Sequence, residues 1–322
     1  MSVALLFPGQ GSQTVGMGRA LSEVSPAARR TFEEADEALG FKLSAIINDG
    51  PADDLKRTAV TQPAIVTVSV ACLRALQEAG VDGGAFAAGA SFAAGHSLGE
   101  YAALVAAGAL DFTDAVRAVR ARGTFMQEAV PEGQGAMAAV LGLDADSIRA
   151  VVADVSSDDA YVACANFNGP EQTVIGGSVK GVETATAALK ARGAKRVMPL
   201  PVSAPFHCAL MAPVQPRLSD VLGGVTVSPF RFPVVTNVEA LPNSDVDRVR
   251  QLLVQQVTAP VRFTEMATFL LAAGVTRFVE VGPGKALIGM VKRTPGFSAD
   301  SMKLLNVEDP ASLQATVAAL AT

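Results

Sequence analysis

Short apolar runs alternate along this chain with longer segments whose apolar positions recur at helical spacing. The start, through Leu5, Leu6 and Phe7, reads as a first strand that opens into a glycine-rich loop around Gln10. Ala64 to Leu76, entered through Pro63, reads as a helix, and Ala90 to Ala94 as a short, weakly apolar strand. Up to Gly133 this alternation of helices and short strands suits a parallel sheet covered by helices. Between Gly135 and Leu200 the order changes to strand Ala136 to Leu141, helix Asp146 to Val155, strand Tyr161 to Asn166, strand Gln172 to Gly176, helix Val179 to Arg192 and strand Arg196 to Leu200. A βαββαβ order is that of a ferredoxin-like unit. From about Val202 the chain returns to the larger body. The expected fold is α/β: an α/β hydrolase-like large subdomain with a parallel central sheet, residues 1–133 and 202–322, plus an inserted ferredoxin-like small subdomain, residues 134–201, with the site in the cleft between them. No internal repeat or low-complexity tract interrupts this plan.

The chemistry concentrates at Gly95-His96-Ser97-Leu98-Gly99, where the Ala90 to Ala94 run meets an amphipathic helix that runs on to Gly108. A serine between two glycines at a strand-to-helix turn is the pattern of a nucleophile elbow, in which flanking side chains would clash with the backbone. The same pentapeptide can also be a plain helix entry, and its context decides for catalysis. A serine nucleophile needs a base, and the chain has two histidines, His96 and His207. Neighbouring side chains leaving a strand project to opposite sides, so His96 should point away from the Ser97 hydroxyl. His207 follows Pro201-Val-Ser-Ala-Pro-Phe206, a proline-broken loop of the kind that presents functional side chains. No carboxylate between Ser97 and His207, among them Asp111, Asp114, Glu128 and Asp154, is marked by a motif as third member of a triad. A backbone or amide carbonyl can fix the histidine tautomer instead.

Four further segments narrow the reading: Leu5-Leu-Phe-Pro-Gly-Gln10-Gly-Ser-Gln, Arg122-Gly-Thr-Phe-Met-Gln-Glu128, the Gly/Pro-punctuated turn Asn166-Phe-Asn168-Gly-Pro, and the turn Val279-Glu-Val-Gly-Pro-Gly-Lys285. With these motifs in this order over essentially its whole length, the chain resembles the malonyl-CoA:acyl carrier protein transacylases of bacterial fatty-acid synthesis, and more broadly the acyltransferase domains of polyketide synthases. The resemblance implies a Ser97 nucleophile that accepts malonyl from malonyl-CoA and passes it to acyl carrier protein, with His207 as base and then acid. It implies an oxyanion hole from the backbone N–H groups of Gln10 and Leu98. Arg122 would grip the malonyl carboxylate with two charge-assisted hydrogen bonds; without the resemblance it is one of several arginines, with Arg117 and Arg120, on a solvated helix face. Gln256 matches the position whose carbonyl holds the histidine, the spacing to Pro260 favouring it over Gln255. Gln62, Met126, Asn166 and Asn168 are open to two readings, pocket lining or helix cap, core and turn. Leu98 and the bulky Phe206 would fill space beside the acyl alpha carbon and disfavour methylmalonyl. A serine esterase or thioesterase shares the elbow and the histidine, but has little use for Arg122.

Composition adds exclusions. The chain of 322 residues is 50% hydrophobic and 18% charged, enough to bury a large core. A net charge of -5 argues against nucleic acid as partner. Without a basic leader or a run of ~18 uninterrupted apolar residues, the expected location is the cytoplasm, with no membrane association. Cys72, Cys164 and Cys208 are odd in number and lack C-x-x-C spacing, which argues against disulfides and zinc. No Walker loop, dinucleotide fingerprint or carboxylate cluster appears, so no cofactor is expected, coenzyme A being a substrate. The family resemblance implies a monomer. Lys190, Arg192, Lys195 and Arg196 form a basic cluster, read either as a carrier docking patch or as cations suited to a helix terminus.

Overall fold

The computed structural model describes residues 2–80, 90–202 and 204–321. Ser203, in the loop before His207, and residues 1, 81–89 and 322 of the expected large subdomain lie outside them. Among the described residues ten strands appear: β1 (Val3–Phe7), β2 (Ala90–Gly95), β3 (Gly135–Leu141), β4 (Val162–Gly169), β5 (Gln172–Ser178), β6 (Arg196–Pro199), β7 (Val234–Val235), β8 (Pro242–Asn243), β9 (Arg277–Val281) and β10 (Lys303–Val307). They form one sheet in the order β10-β9-β1-β2-β7-β8 and another in the order β4-β5-β3-β6.

The larger sheet is parallel from β10 to β7, with only β8 antiparallel. Every residue of β1 is buried. Val3, Leu5 and Phe7 face one hydrophobic cluster, Ala4 and Leu6 a second. A strand covered on both faces reads as a continuous apolar run, which is why β1 carries no alternation. The sheet is not assembled from alternating strands and helices before Gly133, as the pattern suggested. Helices Arg19–Val24, Pro26–Leu39, Leu43–Asp49, Ala52–Lys56 and Thr58–Glu78 all lie between β1 and β2, and the C-terminal strands β7, β9 and β10 complete the sheet.

Helix Thr58–Glu78 begins five residues before Pro63, not at it. Proline deprives the carbonyl four residues earlier of its helical donor. That carbonyl, on Ala59, instead accepts a hydrogen bond from Arg120 Nη1 at 2.5 Å. This helix alone is long and apolar enough, among the described residues, to cross a membrane by composition, yet 94% of its apolar window is buried inside the protein. It is the central core helix.

The smaller sheet, with helices Ala145–Val155 and Val179–Ala191, is ferredoxin-like, as the βαββαβ pattern predicts. The two faces of β3 divide the work. Ala138 and Val140 pack with Ile148, Val152 and Val182 of its own helices, while Met137 and Ala139 join the main core. The strand β4 runs on to Gly169, past the expected strand end at Asn166, so Asn168 sits on strand and not in a turn. Its last residues are shared with the large body: Phe167 N–H donates to Val261 O at 2.8 Å, and Val261 N–H to Ala165 O at 2.9 Å. The ladder to β5 is irregular between Cys164 and Asn166, where this second pairing begins.

The ends of β1 and β2 meet helix Gly99–Ala106 at van der Waals limits. A Cβ on Gly95 would lie 2.0 Å from Gly99 C, and one on Gly99 2.2 Å from Phe7 O, both rigid backbone. We expect Gly95→Ala and Gly99→Ala each to destabilise by about 1–3 kcal/mol or to prevent folding. Gly223→Ala, whose Cβ meets nothing within 4 Å, should leave the thermal midpoint unchanged or slightly raised. Thermal unfolding of the three variants checks this; equal midpoints would mean that the elbow can relax.

Candidate active site

Ser97 and His207 lie 110 residues apart in sequence, and both adopt the left-handed backbone conformation, at φ 53° and 58°. Non-glycine residues hold such angles only when the surroundings over-determine them. At Ser97 the surroundings are visible. Asn237 Oδ1 accepts from Ser97 N–H at 2.7 Å, and Asn237 Nδ2 donates to Gly95 O at 2.6 Å. His96 N–H donates to Phe7 O at 3.0 Å, fastening the elbow to β1. The Ser97 hydroxyl is thereby turned toward His207, whose Nε2 lies 2.7 Å from Oγ.

The other ring nitrogen fixes the protonation state. His207 Nδ1 lies 2.9 Å from Gln256 O and 3.2 Å from Ala259 O. Carbonyls only accept, so Nδ1 carries the proton and Nε2 is left as a base for the serine hydroxyl. Burial, reinforced by the Arg122 charge, lowers the imidazole from 6.5 to about 3. No carboxylate touches the ring among the described residues.

Arg122 is not on a solvated face. It is 1% exposed, because helix Phe112–Glu128 crosses helix Thr58–Glu78 at Gly123, where a Cβ would lie 2.6 Å from Thr58 O. Its Nη1 donates to Gln62 Oε1 at 2.7 Å, and its Nη2 to Gln256 Oε1 at 2.9 Å and to Ser97 Oγ at 3.0 Å. Its Nε has no hydrogen-bond partner among the described residues. Every acceptor it contacts is neutral. A buried guanidinium in that setting is poised for an anion beside the serine hydroxyl.

The cavity in front of Ser97 holds about 170 Å³ and is lined by Gln10, Gln62, Met126, Asn166, Phe206 and His207, among others. It adjoins a wider, polar groove of about 780 Å³, with which it shares Gln10, Lys56 and the segment Leu200, Pro201 and Val202. Gln62 Nε2 reaches Met126 Sδ at 3.6 Å. Gln10 stands in the loop after β1, its amide 3.4 Å from Thr58 Oγ1. Leu98 starts helix Gly99–Ala106, but its side chain is 1% exposed and belongs to the core. Of the pair expected to crowd the acyl group, only Phe206 lines the cavity. Asn168 is not a lining residue either; its Oδ1 lies 2.9 Å from His96 Nε2, pinning that ring. Gln256 is fully buried at the end of helix Val246–Gln256, whereas Gln255 is exposed. None of Lys190, Arg192, Lys195 and Arg196 lines the cavity, and Lys195 is paired with Glu171 at 3.3 Å. No group of three His, Cys, Asp or Glu side chains among the described residues is placed to hold a metal ion.

The hydrogen-bond network behind the site contains two residues, Glu100 and Asn237, that the sequence does not single out. Glu100 is 2% exposed; its Oε2 accepts from Gln256 Nε2 at 2.7 Å and from Asn237 N–H at 3.0 Å. Burial raises its carboxyl to about 7 against the opposing pull of those hydrogen bonds and of Arg122. A lone carboxylate in the first turn of an apolar helix was the available signal. Asn237, 140 residues from Ser97 in sequence, had none.

With this geometry established, likeness to known proteins is specific. The acyl transferase domain family matches residues 4–307. The malonyl CoA-acyl carrier protein transacylase of Bacillus subtilis is 46% identical over 318 residues, 99% of this chain and 97% of the relative. An acyl-carrier-protein-S-malonyltransferase structure from Bartonella henselae superimposes with a TM-score of 0.94 at 43% identity, covering 100% of both chains. A malonyl-transacylase solved in complex with a type II PKS acyl-carrier protein superimposes with a TM-score of 0.92 at 43% identity, covering 99% of this chain and 100% of that one. The chain therefore belongs to the acyl transferase domain family and, within it, to the malonyl CoA-acyl carrier protein transacylases.

Proposed function

We propose that this protein transfers malonyl from malonyl-CoA to the phosphopantetheine thiol of acyl carrier protein through a Ser97 malonyl ester, supplying extender units for fatty-acid or polyketide synthesis. The observation that carries this reading is the buried Arg122 guanidinium 3.0 Å from the Ser97 hydroxyl. A hydrolase acting on neutral esters has no need of a desolvated cation there. Ser97 Oγ attacks the thioester carbonyl while His207 Nε2 takes its proton. The oxyanion is received by the backbone N–H groups of Gln10 and Leu98. Collapse expels the coenzyme A thiolate, which leaves with the proton from His207. The carrier thiol then gives its proton to His207 and attacks the ester, and Ser97 departs with that proton. The balance closes on serine, histidine and two thiols, so the reading calls for no cofactor.

Arg122 holds the malonyl carboxylate throughout, beside Gln62, Met126 and Asn166, and Gln256 orients both Arg122 and His207. Phe206 narrows the wall and disfavours a branched acyl group. The same reading puts the subdomain boundaries at residues 1–133 with 202–322, and 134–201, with the site in the cleft between them. The expected state is a cytoplasmic monomer that binds neither membrane nor nucleic acid.

Intact mass after brief incubation with malonyl-CoA, followed by a chase with carrier protein, tests the reaction. The expected malonyl adduct is absent in Ser97→Ala and disappears onto the carrier; free malonate in place of malonyl-carrier would make water the acceptor and the protein a thioesterase. Arg122→Ala should lower malonyl transfer on the order of 100-fold relative to acetyl, since hydrogen bonds to charged groups contribute roughly 1.5–3 kcal/mol each. An unchanged malonyl-to-acetyl ratio would remove Arg122 from selection.

The lowered His207 value has a kinetic sign. An ordinary imidazole protonates, and loses activity, as pH falls through 6.5; one held at about 3 stays a base below that range. Thus kcat/KM for thiol release, which reports the free enzyme, should stay level from pH 8 down to about 5. An acid limb centred near 6.5 would contradict a desolvated neutral base.

A further inference from the structure

Glu100 touches neither the serine hydroxyl nor the imidazole, yet its hydrogen bonds determine how a neighbour that touches Arg122 is oriented. The Gln256 amide has two N–H donors, and both are engaged: Nε2 donates to Glu100 Oε2 at 2.7 Å and to Ser97 O at 3.1 Å. Its Oε1 is consequently turned to Arg122 Nη2 at 2.9 Å. Rotating the amide by half a turn would set its N–H groups against the guanidinium and its oxygen against two acceptors. An amide with both ends committed has one orientation. Of the two acceptors that enforce it, Ser97 O belongs to the elbow backbone and Glu100 Oε2 is the only side-chain member. The same oxygen accepts Asn237 N–H at 3.0 Å, and Asn237 clamps Ser97 N and Gly95 O. One buried carboxyl oxygen thus joins the restraint on the nucleophile to the restraint on the cation.

We propose that Glu100 is a positioning residue for acyl selection: it locks the Gln256 amide so that Arg122 presents its guanidinium to the malonyl carboxylate. The inference deepens the transfer reading and rests on it. It requires an acceptor oxygen at this position, not a negative charge, because the lock consists of N–H groups pointing at Oε2. A carboxylic acid or a primary amide can supply that oxygen; a hydrocarbon cannot. A role in charge balance alone would require the opposite, the charge and not the oxygen.

The test measures malonyl-enzyme and acetyl-enzyme formation by intact mass for wild type, Glu100→Gln, Glu100→Met and Gln256→Met, with thermal unfolding to establish folding. Glu100→Met removes the acceptor at similar length and should lower the malonyl-to-acetyl ratio roughly 10-fold or more, the scale of a hydrogen-bond network to a buried charge. Glu100→Gln should restore the ratio to within about threefold of wild type, and Glu100→Met added to Gln256→Met should lower it little further, as expected of residues acting through one another. Should Glu100→Met fail to fold, Glu100→Asp replaces it: the charge stays, the oxygen withdraws by one methylene, and the ratio should fall likewise. A folded Glu100→Met or Glu100→Asp protein with an unchanged ratio overturns the proposal, as does a Glu100→Gln protein as impaired as Glu100→Met. Absence of a malonyl adduct in wild type would instead overturn the transfer reading itself, so the two failures are separable.

Discussion

A guanidinium buried among neutral acceptors is the constraint around which this site is arranged. Taking Arg122 out of water is costly, and the amide oxygens of Gln62 and Gln256 replace only part of its hydration. The deficit is useful because it is placed 3.0 Å from a nucleophile: on the proposed reading, a substrate that brings its own carboxylate supplies the missing charge. The close helix crossing at Gly123 makes such a depth of burial possible. The same positive charge helps keep His207 neutral, so the group proposed to choose the substrate also keeps the base ready.

That no carboxylate among the described residues stands behind the histidine follows from the same electrostatics. Two backbone carbonyls, of Gln256 and Ala259, fix the ring. They select the tautomer without adding a negative charge within reach of Arg122, which would otherwise satisfy the cation before substrate arrived. The buried carboxyl that does stand nearby, Glu100, has an elevated pKa of about 7, and it contacts Gln256, not His207.

Features set by local backbone geometry were readable from the chain. The glycines at 95 and 99 are dictated by contacts below 2.5 Å, so the elbow shows in five residues; the βαββαβ order shows because each element has its own period. What depended on distant partners did not. The sheet order places β9 beside β1 and β10 beyond it, a pairing across more than 270 residues for which β1 carries no mark. Asn237 and Glu100 act through hydrogen bonds to segments far away in sequence. Pro63 misled because the usual meaning of a proline, a helix start, was overridden by Arg120 capping the Ala59 carbonyl. The segment from Asn166 to Asn168 looked like a turn because Gly169 and Pro170 follow it, and the pairing with β5 and Val261 that keeps it extended is not visible locally.

That shared pairing has a mechanical consequence. Because β4 is stitched to Val261 by two backbone hydrogen bonds, opening the cleft like a jaw would break a ladder and expose its polar groups, so the wall facing Ser97 is part of the scaffold and not a gate. On the proposed reading, the β4 side of the chamber guards the acyl ester from water by standing structure and not by movement. Its lifetime between donor and acceptor would then owe more to the shape of that fixed wall than to any motion of β4.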